Sequence, residues 1–325
     1  MSALLRRSVL LLLATYLAGA AVMGSAQNYP TKPVRVITAG AGTFHDIVTR
    51  QLGQRLSERW GQPVVVENQP AAALTIGTGI AARSTHDGYT LLMSDRSALT
   101  VAPHLYKSLQ FDPVKDFSPI TLTARAPSVL VAHPSVPAAT LLEFLDYVKR
   151  QPGQIDFAAG GVGTASHVAN EMLKNLTGIN LVNIHYKGGA AATLAIMSGE
   201  VKAGSGLVAN VLPHVRAGKL RAYAVTSRNR FAGAPDIPTA DEAGLPGMET
   251  DFWIGMLAPA RTPATLVGRL NREMIEILQT PDLQAALLKQ GAESAFGTPD
   301  QFAAFIRSET LKWGKVIKDA GIKPE

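Results

Sequence analysis

Strand-like and helix-like segments alternate along this chain, and the alternation limits its fold more than any other feature. PVRVITA (33–39) is apolar and β-branched, and it precedes DIVTRQLGQRLSERW (46–60), in which Ile47, Val48, Leu52 and Leu56 recur at helical spacing. Further strand-like segments are PVVVEN (63–68), GYTLLMSD (88–95), SVLVAH (128–133), IDFAAG (155–160), INLVNIHY (179–186), VKAGSGL (201–207) and LRAYAVTS (220–227). The pattern predicts an α/β fold with mostly parallel sheets.

Threonines mark several predicted helix starts in the second half of the chain. Thr298 and Gln301 have the spacing of a capping box before the last helix. Thr262 and Thr280 each precede a proline, a residue favoured at the first helical position. We therefore expect helices to begin after 262, 280 and 298.

A signal peptide, residues 1–26, is predicted at the start of the chain. Arg6 and Arg7 precede an apolar run over residues 9–21, and small residues surround Ala26, which is the pattern of a cleavable export signal. The chain has no cysteine, so disulfides, thiolate metal ligands and a cysteine nucleophile are excluded. Export without disulfides favours a bacterial periplasm, and we expect this localisation.

The charge of the chain is mildly basic. Its formal net charge is +6 over 325 residues, without a block of Lys or Arg and without basic residues interleaved with aromatic ones. Binding of nucleic acid is therefore not expected, whereas a basic surface modestly favours small anions.

Two glycine-rich turns, TAGAGTFHD (38–46) and AAGGVGTASH (158–167), each join a predicted strand to a predicted helix. The first N–H groups of a helix are unpaired and carry partial positive charge, and small residues let a carboxylate approach them. Thr43, Thr164 and Ser166 add hydroxyl donors. For either loop alone, the alternative is a tight turn that needs positive φ. Because ligands of open α/β sheets bind beyond the carboxyl ends of strands, the two turns together predict two lobes and an anion between them.

Other kinds of site have less support in the sequence. Gly40 and Gly42 lack the third glycine of a dinucleotide loop, since His45 occupies its place, and no Gly-Lys-Ser/Thr follows. Ser205 has flanking glycines but not the outer glycines of a nucleophile elbow. The seven histidines are spread without the spacing of metal ligands. We therefore expect no enzyme, no metal site and no cofactor.

A series of motifs runs through the whole mature chain: YPTKPVRVI (29–37), LSERWGQPVVVENQP (56–70), DGYTLLMS (87–94), FDPVKDFSPITL (111–122), GVGTASHVANEML (161–173), PHVRAGKLRAYAVTS (213–227) and PDIPTADEAGLPG (235–247). In their number and order they resemble the substrate-binding proteins of tripartite tricarboxylate transporters, which are also called the Bug family of periplasmic binding proteins. No single motif decides the match.

The resemblance implies a two-lobed periplasmic-binding-protein fold of the Venus-flytrap, type II-like kind, with a mixed, mostly parallel sheet in each lobe. Residues 27–126 and 250–325 would form the first lobe, and residues 127–249 the second. Such receptors are usually monomers that bind a small carboxylate in the cleft and present it to membrane permease subunits. The expected ligand-binding residues are Gly40, Gly42, Thr43, Phe44, Asp46, Leu74 and Thr75 in the first lobe, and Gly161, Gly163, Thr164, Ser166, His167 and Gly206 in the second.

The expected ligand loops depart from the family pattern. The first loop lacks the usual prolines, Thr43 stands where a second glycine is common, and alanines at 71–73 replace part of a glycine-rich run. Phe44 and Leu74 would add apolar surface, so we expect a ligand with a more apolar or aromatic body than citrate or aspartate. Asp46 has a second interpretation as a helix cap, because an acid suits a helix start but repels a carboxylate.

Three alternatives stay open at the level of sequence. The chain could sense a ligand for a signalling partner, or hydrolyse a substrate in the periplasm. The altered loops could also tolerate their residues without lining a site, since loops vary freely in sequence.

Overall fold

Two separate β-sheets organise the fold. The computed structural model describes residues 29–69 and 74–322, so the predicted signal peptide and the alanines at 71–73 lie outside the described residues. The strands are β1 (Val34–Thr38), β2 (Val64–Asn68), β3 (Thr90–Asp95), β4 (Phe117–Ala126), β5 (Ser128–Ala132), β6 (Asp156–Ala159), β7 (Val182–His185), β8 (Ala203–Leu207), β9 (Arg221–Val225), β10 (Phe252–Pro259) and β11 (Glu293–Ser294).

Both sheets are mixed, as expected, but parallel pairs are not in the majority. The first sheet has the order β11-β4-β10-β3-β1-β2, and the second has the order β7-β6-β8-β5-β9. β1 runs parallel to β2 and β3, and β6 runs parallel to β7 and β8, whereas the other five neighbouring pairs are antiparallel. The expectation of mostly parallel sheets is therefore corrected. Four of the five antiparallel pairs arise because β10 returns from the second sheet between β3 and β4, and β5 enters the second sheet between β8 and β9; the fifth joins β11 to β4.

Helices cover the faces of both sheets. They are α1 (Phe44–Trp60), α2 (Thr75–Ala82), α3 (Ala102–Leu105), α4 (Leu141–Lys149), α5 (Ala165–Thr177), α6 (Gly189–Ser198), α7 (Val208–Arg216), α8 (Ala264–Leu278), α9 (Pro281–Lys289) and α10 (Pro299–Asp319), with a π-helical turn, Ser97–Val101, directly before α3. α1 buries Val48, Leu52 and Leu56 in the core of the first sheet, as their spacing predicts.

The predicted helix starts differ in their hydrogen bonds. Thr298 forms the full capping box: its hydroxyl accepts from the Gln301 N–H at 3.2 Å, and the Gln301 side chain accepts from the Thr298 N–H at 2.9 Å. At α8 the capping position is held by Pro263, and Thr262 donates its hydroxyl to the Pro259 carbonyl. The prediction of Thr262 as a capping residue is therefore wrong, because its hydroxyl is used inside the preceding turn.

The chain passes between the two sheets twice. Pro127 alone separates β4 from β5, and residues 226–251 lead from β9 to β10. The cores of the two sheets are mostly distinct, but Val168 of α5 packs in one apolar cluster with Val101, Leu105 and Trp313. This cluster joins the helices of the second sheet to those of the first.

Candidate functional site

A cavity of about 490 Å³ lies between the two sheets. On one side its wall is built from residues at or after the carboxyl ends of β1, β2 and β3, and from the amino end of β10, which reaches the same edge because it runs antiparallel to β3. On the other side the wall is built from residues at or after the carboxyl ends of β6, β7 and β8. Strand ends from both sheets thus meet at one cleft, where open α/β sheets bind ligands.

The two predicted glycine-rich loops form the same turn and share the sequence Gly-x-Gly-Thr. Gly42 and Gly163 have φ angles of 74° and 73°, in the left-handed region that glycine reaches without strain. Thr43 and Thr164 are the N-cap residues of α1 and α5, and each donates its hydroxyl to the carbonyl three residues earlier at 2.7 Å. Each turn therefore brings the start of its helix to the cavity.

Asp46 braces the first loop from four residues beyond Gly42. Its carboxylate accepts from the Gly42 N–H at 2.9 Å, from Asn68 Nδ2 at 2.8 Å and from Arg50 Nε at 2.9 Å. Burial on its own would raise the pKa of Asp46, but these hydrogen bonds outweigh burial and lower it. The carboxylate is thus ionised and engaged within the loop, but the N-cap of α1 is Thr43, so Asp46 is not the capping residue.

His167 braces the second loop from the equivalent position. Its Nδ1 accepts from the Gly163 N–H at 3.1 Å. Burial, together with the positive charge that His185 and Lys174 can carry, lowers the pKa of His167 to about 4. The ring is therefore neutral near pH 7 and keeps the lone pair that accepts this bond. The side chain holds the loop in place.

The start of α5 has N–H groups that no side chain caps. The Thr164 hydroxyl is committed to the Gly161 carbonyl and lies 3.3 Å from Ser166 Oγ. At α1, by contrast, the Thr43 hydroxyl also accepts from the Asp46 N–H at 3.4 Å. Uncapped N–H groups at a helix start attract anions, so α5 offers more donors to a carboxylate than α1 does.

Seven of the thirteen expected ligand-binding residues line the cavity: Gly40, Thr43, Leu74, Gly163, Thr164, Ser166 and Gly206. The other six are not among its lining residues: Gly42, Phe44, Asp46, Thr75, Gly161 and His167. Phe44 packs edge to face against Phe252, with 6.2 Å between the ring centroids, so it supports the wall from behind. Contact of any of the thirteen with a ligand stays a prediction.

Comparison with known proteins identifies the family. The family model described as "Tripartite tricarboxylate transporter family receptor" (TctC) matches residues 48–322. The chain belongs to this family. It is 35% identical to protein BugT of Bordetella pertussis over 94% of each chain.

Solved structures of related proteins agree in fold with this TctC-family receptor. The periplasmic binding protein BugD is 34% identical, with a TM-score of 0.76 over 91% of this chain and all of its own. Rpa4515 of R. palustris, whose structure was solved with adipate, is 29% identical, with a TM-score of 0.80 over 91% of this chain and all of its own. The receptor therefore has the two-lobed α/β fold of periplasmic binding proteins, as expected. Over residues 29–69 and 74–322, no helix has the length and apolar character of a membrane span.

The receptor also lines its cavity with residues that the sequence did not place among the expected ligand-binding residues. The polar or aromatic ones are His45, Gln69, Asp95, Ser97, Tyr106, Ser205, Asn210 and Phe252. Asp95 ends β3, and Phe252 begins β10. Their position at strand ends is a signal that could have found them, but only together with the order of the strands in the sheet.

Ser205 leaves a polar group unused in the cavity wall. Its Oγ is buried and has no hydrogen-bond partner within the described part of the receptor. Leaving a buried hydroxyl unpaired is unfavourable, but this oxygen is shielded from the cavity in the present arrangement.

The electrostatics of the cavity depend on backbone groups and on the buried His45–Asp95 pair. Among its described lining residues, none is a lysine or arginine. His45 Nε2 lies 3.0 Å from Asp95 Oδ2, and Asp95 Oδ1 accepts from the Ala98 N–H at 2.9 Å. The positive potential that an anion would meet therefore comes mainly from helix starts. Nor does any group of three or more His, Asp or Glu within residues 29–69 and 74–322 lie where it could hold a metal ion.

Proposed function

We propose that this protein is a periplasmic solute receptor that holds one small carboxylate between its two Gly-x-Gly-Thr loops and delivers it to a tripartite tricarboxylate-type permease. The observation that carries the proposal is the pair of equivalent turns, each of which brings a helix start to the same cavity. Helix starts are binding sites for anions. Membership of the TctC family supports the role, and the adipate bound to Rpa4515 supports the ligand class.

The proposed ligand has an apolar or aromatic body. Apolar side chains, including Leu74, Val101, Leu105, Leu207 and Phe252, form much of the cavity wall. Because no lysine or arginine is present among the described lining residues, three carboxylates of one ligand would have to share the helix starts. This arrangement favours a molecule with fewer charges and more carbon surface than citrate.

Closure of two lobes is the proposed mechanism of capture. Residues 27–126 and 250–325 would form the first lobe and residues 127–249 the second, with both crossings as hinges. In the present arrangement the second loop touches α3, since a Cβ placed on Gly163 would lie 2.7 Å from Leu105 Cδ1. Ligand in the cleft would favour closure of the lobes and present a shape that the permease recognises.

We propose that the protein binds its ligand without converting it chemically. Three serines, Ser97, Ser166 and Ser205, line the cavity, and a serine nucleophile needs a base within hydrogen-bonding distance. The Ser166 hydroxyl accepts from the Gly160 N–H at 2.8 Å, and His45 is engaged with Asp95. None of the three serines pairs with a histidine within the described residues.

Removal of a single backbone N–H tests the site. Ala165 is the first residue of α5, a position where proline fits a helix and removes the N–H. Thr164 before it is extended, with ψ of 167°, as a residue before proline prefers. We expect Ala165→Pro to fold normally and to weaken carboxylate binding about tenfold, because a charge-assisted hydrogen bond is lost.

The measurement is a thermal-shift screen of mono-, di-, tri- and aromatic carboxylates, followed by titration of the best binder. A ligand at one hundred times its Kd should stabilise the protein by about 2.7 kcal/mol. Ala264→Pro makes the same change at the exposed first residue of α8, outside the cavity wall, and is the matched control, so its affinity should equal that of the wild type. Equal affinities of Ala165→Pro and Ala264→Pro would contradict the assigned site. If no carboxylate stabilises the wild type, the proposed function is wrong.

A further inference from the structure

His45 and Asp95 form a buried pair in the wall of the cavity, and the proposed function has not used it. His45 is the second residue of α1 and Asp95 is the last residue of β3, so two elements place the pair. Their exposed fractions are 9% and 6%. The His45 ring also packs edge to face on Phe252, with 5.5 Å between the centroids. The ring is thus fixed from two sides.

The hydrogen bonds of Asp95 determine which nitrogen of His45 carries the proton. Asp95 accepts from the Ala98 N–H through Oδ1 and faces His45 Nε2 through Oδ2. An ionised carboxylate only accepts hydrogen bonds, so Nε2 must carry the hydrogen. In a neutral ring Nδ1 then carries a lone pair and acts as an acceptor. Nδ1 has no hydrogen-bond partner among the described residues.

The charge of the His45–Asp95 pair also favours a neutral hydrogen-bond donor over a second carboxylate. With His45 neutral, the pair has one negative charge, which Asp95 supplies, and no described lysine or arginine in the cavity wall offsets it. A second carboxylate beside the pair would meet a like charge and a lone pair. A hydroxyl group would instead donate a hydrogen bond to Nδ1 and carry no charge to be repelled.

We propose that the His45–Asp95 pair selects for a hydroxy-monocarboxylate: the loops hold its single carboxylate, and His45 Nδ1 accepts a hydrogen bond from its hydroxyl group. This inference rests on the proposed function and narrows its ligand class. Under it the pair discriminates against dicarboxylates of the same length. His45 and Asp95 are specificity-determining residues, the second acting through the first.

The test compares four ligands with the same six-carbon chain by isothermal titration calorimetry: hexanoate, 2-hydroxyhexanoate, 6-hydroxyhexanoate and adipate. We expect one of the two hydroxy acids to bind about fivefold tighter than hexanoate, the effect of one neutral hydrogen bond, and adipate to bind more weakly than hexanoate. If hexanoate binds but neither hydroxy acid binds more tightly than hexanoate, the inference is wrong and the proposed function stands. If none of the four binds and the broader carboxylate screen also fails, both are wrong.

Asp95→Asn should reverse the preference for a hydroxy acid over adipate. The Ala98 N–H still requires an oxygen, so the new amide turns its NH2 group toward His45 Nε2. Nε2 then becomes the acceptor and Nδ1 the donor. We expect the variant to prefer adipate over the hydroxy acid, while Asp300→Asn, which removes an exposed carboxylate outside the cavity wall, should leave the order of ligands unchanged. Parallel losses for all ligands in Asp95→Asn would overturn the proposal.

NMR of the histidine nitrogens identifies the tautomer of His45 in the absence of ligand. The proposal therefore stays testable if Asp95→Asn folds poorly. Two-bond ¹⁵N–¹H spectra of the wild type should show the hydrogen of His45 on Nε2, with the resonance assigned from a His45→Asn variant. A hydrogen on Nδ1 alone in the wild type would overturn the proposal.

Discussion

Gly163 links the backbone of the second loop to packing against the first sheet. Its φ is 73°, and a Cβ there would lie 2.7 Å from Leu105 Cδ1. Gly178, which ends α5, has a similar φ of 68°, but a Cβ there would meet no atom within 4 Å. Comparison of the two glycines therefore separates the energetic cost of left-handed backbone from the cost of contact with Leu105.

Alanine at each glycine should give different costs. We expect Gly178→Ala to lower the free energy of unfolding by about 1 kcal/mol, the cost of left-handed backbone for a residue with a Cβ. Gly163→Ala should lower it by about 3 kcal/mol, because overpacking against Leu105 is added. Urea unfolding measures both, and in a Leu105→Ala background the cost of Gly163→Ala should be smaller than in the wild type. Equal costs at the two glycines would show that the contact with Leu105 carries no energy.

The candidate site could be predicted from the sequence only where it is local. Both loops are contiguous stretches, so their glycines, threonines and helix starts can be recognised in the sequence alone. Asp95, Asn210 and Phe252 reach the cavity through the order of strands and through the antiparallel return of β10. The order of the strands in the sheet cannot be predicted from the pattern of any single segment.

Individual elements differ in how strongly local sequence determines them. The period of α1 and the capping box of α10 are local signals, and both helices are present at the positions that these signals predict. The turn Ser97–Val101 has no comparable signal. It follows Arg96, a fully buried side chain that donates to the Thr250 and Asp251 carbonyls and stacks on Trp313. Here tertiary contacts, which are invisible in a sequence window, determine the local structure.

Two threonines that precede prolines should differ in their effect on stability. Thr298 makes both bonds of a capping box, whereas Thr280 makes no capping bond and donates its hydroxyl to the Ile277 carbonyl. We expect Thr298→Ala to lower the free energy of unfolding by about 1 kcal/mol, the usual value of an N-cap, and Thr280→Ala to cost about half as much. Chemical unfolding of both variants is the measurement. A larger loss for Thr280→Ala would contradict the assignment of the caps.

For the whole molecule, the second crossing between the sheets ends on Asp251, a half-buried acid. Burial raises the pKa of Asp251 to about 7, although Arg125, Arg96 and Lys312 partly oppose the shift. Its Oδ1 has no hydrogen-bond partner among the described residues. The group lies directly before β10, where the chain re-enters the first sheet.

The stability of the protein should therefore depend on pH through Asp251. Between about pH 4, where the unfolded carboxyl titrates, and pH 7, the folded state binds more protons than the unfolded state, so stability falls as pH rises. Asp251→Asn removes this dependence. Because solvent partly reaches the carboxyl, we expect the wild type to lose about 2 kcal/mol relative to the variant across this range. Urea unfolding of both proteins from pH 4 to 8 tests this expectation. A difference in the free energy of unfolding that stays constant with pH would refute the raised pKa of Asp251.

The position of β10 between β3 and β4 determines the order in which the molecule can assemble. The second sheet uses a continuous stretch, from Ser128 to Val225, so all of its strands are available once that stretch is present. The first sheet has its central strand at residues 252–259, after that whole stretch. β3 and β4 must therefore wait, unpaired with each other, until the later strand fills the gap between them. The wall of the cavity that contains His45 and Asp95 is therefore complete only when residues 252–259 have joined the sheet, because Phe252 belongs to the same wall.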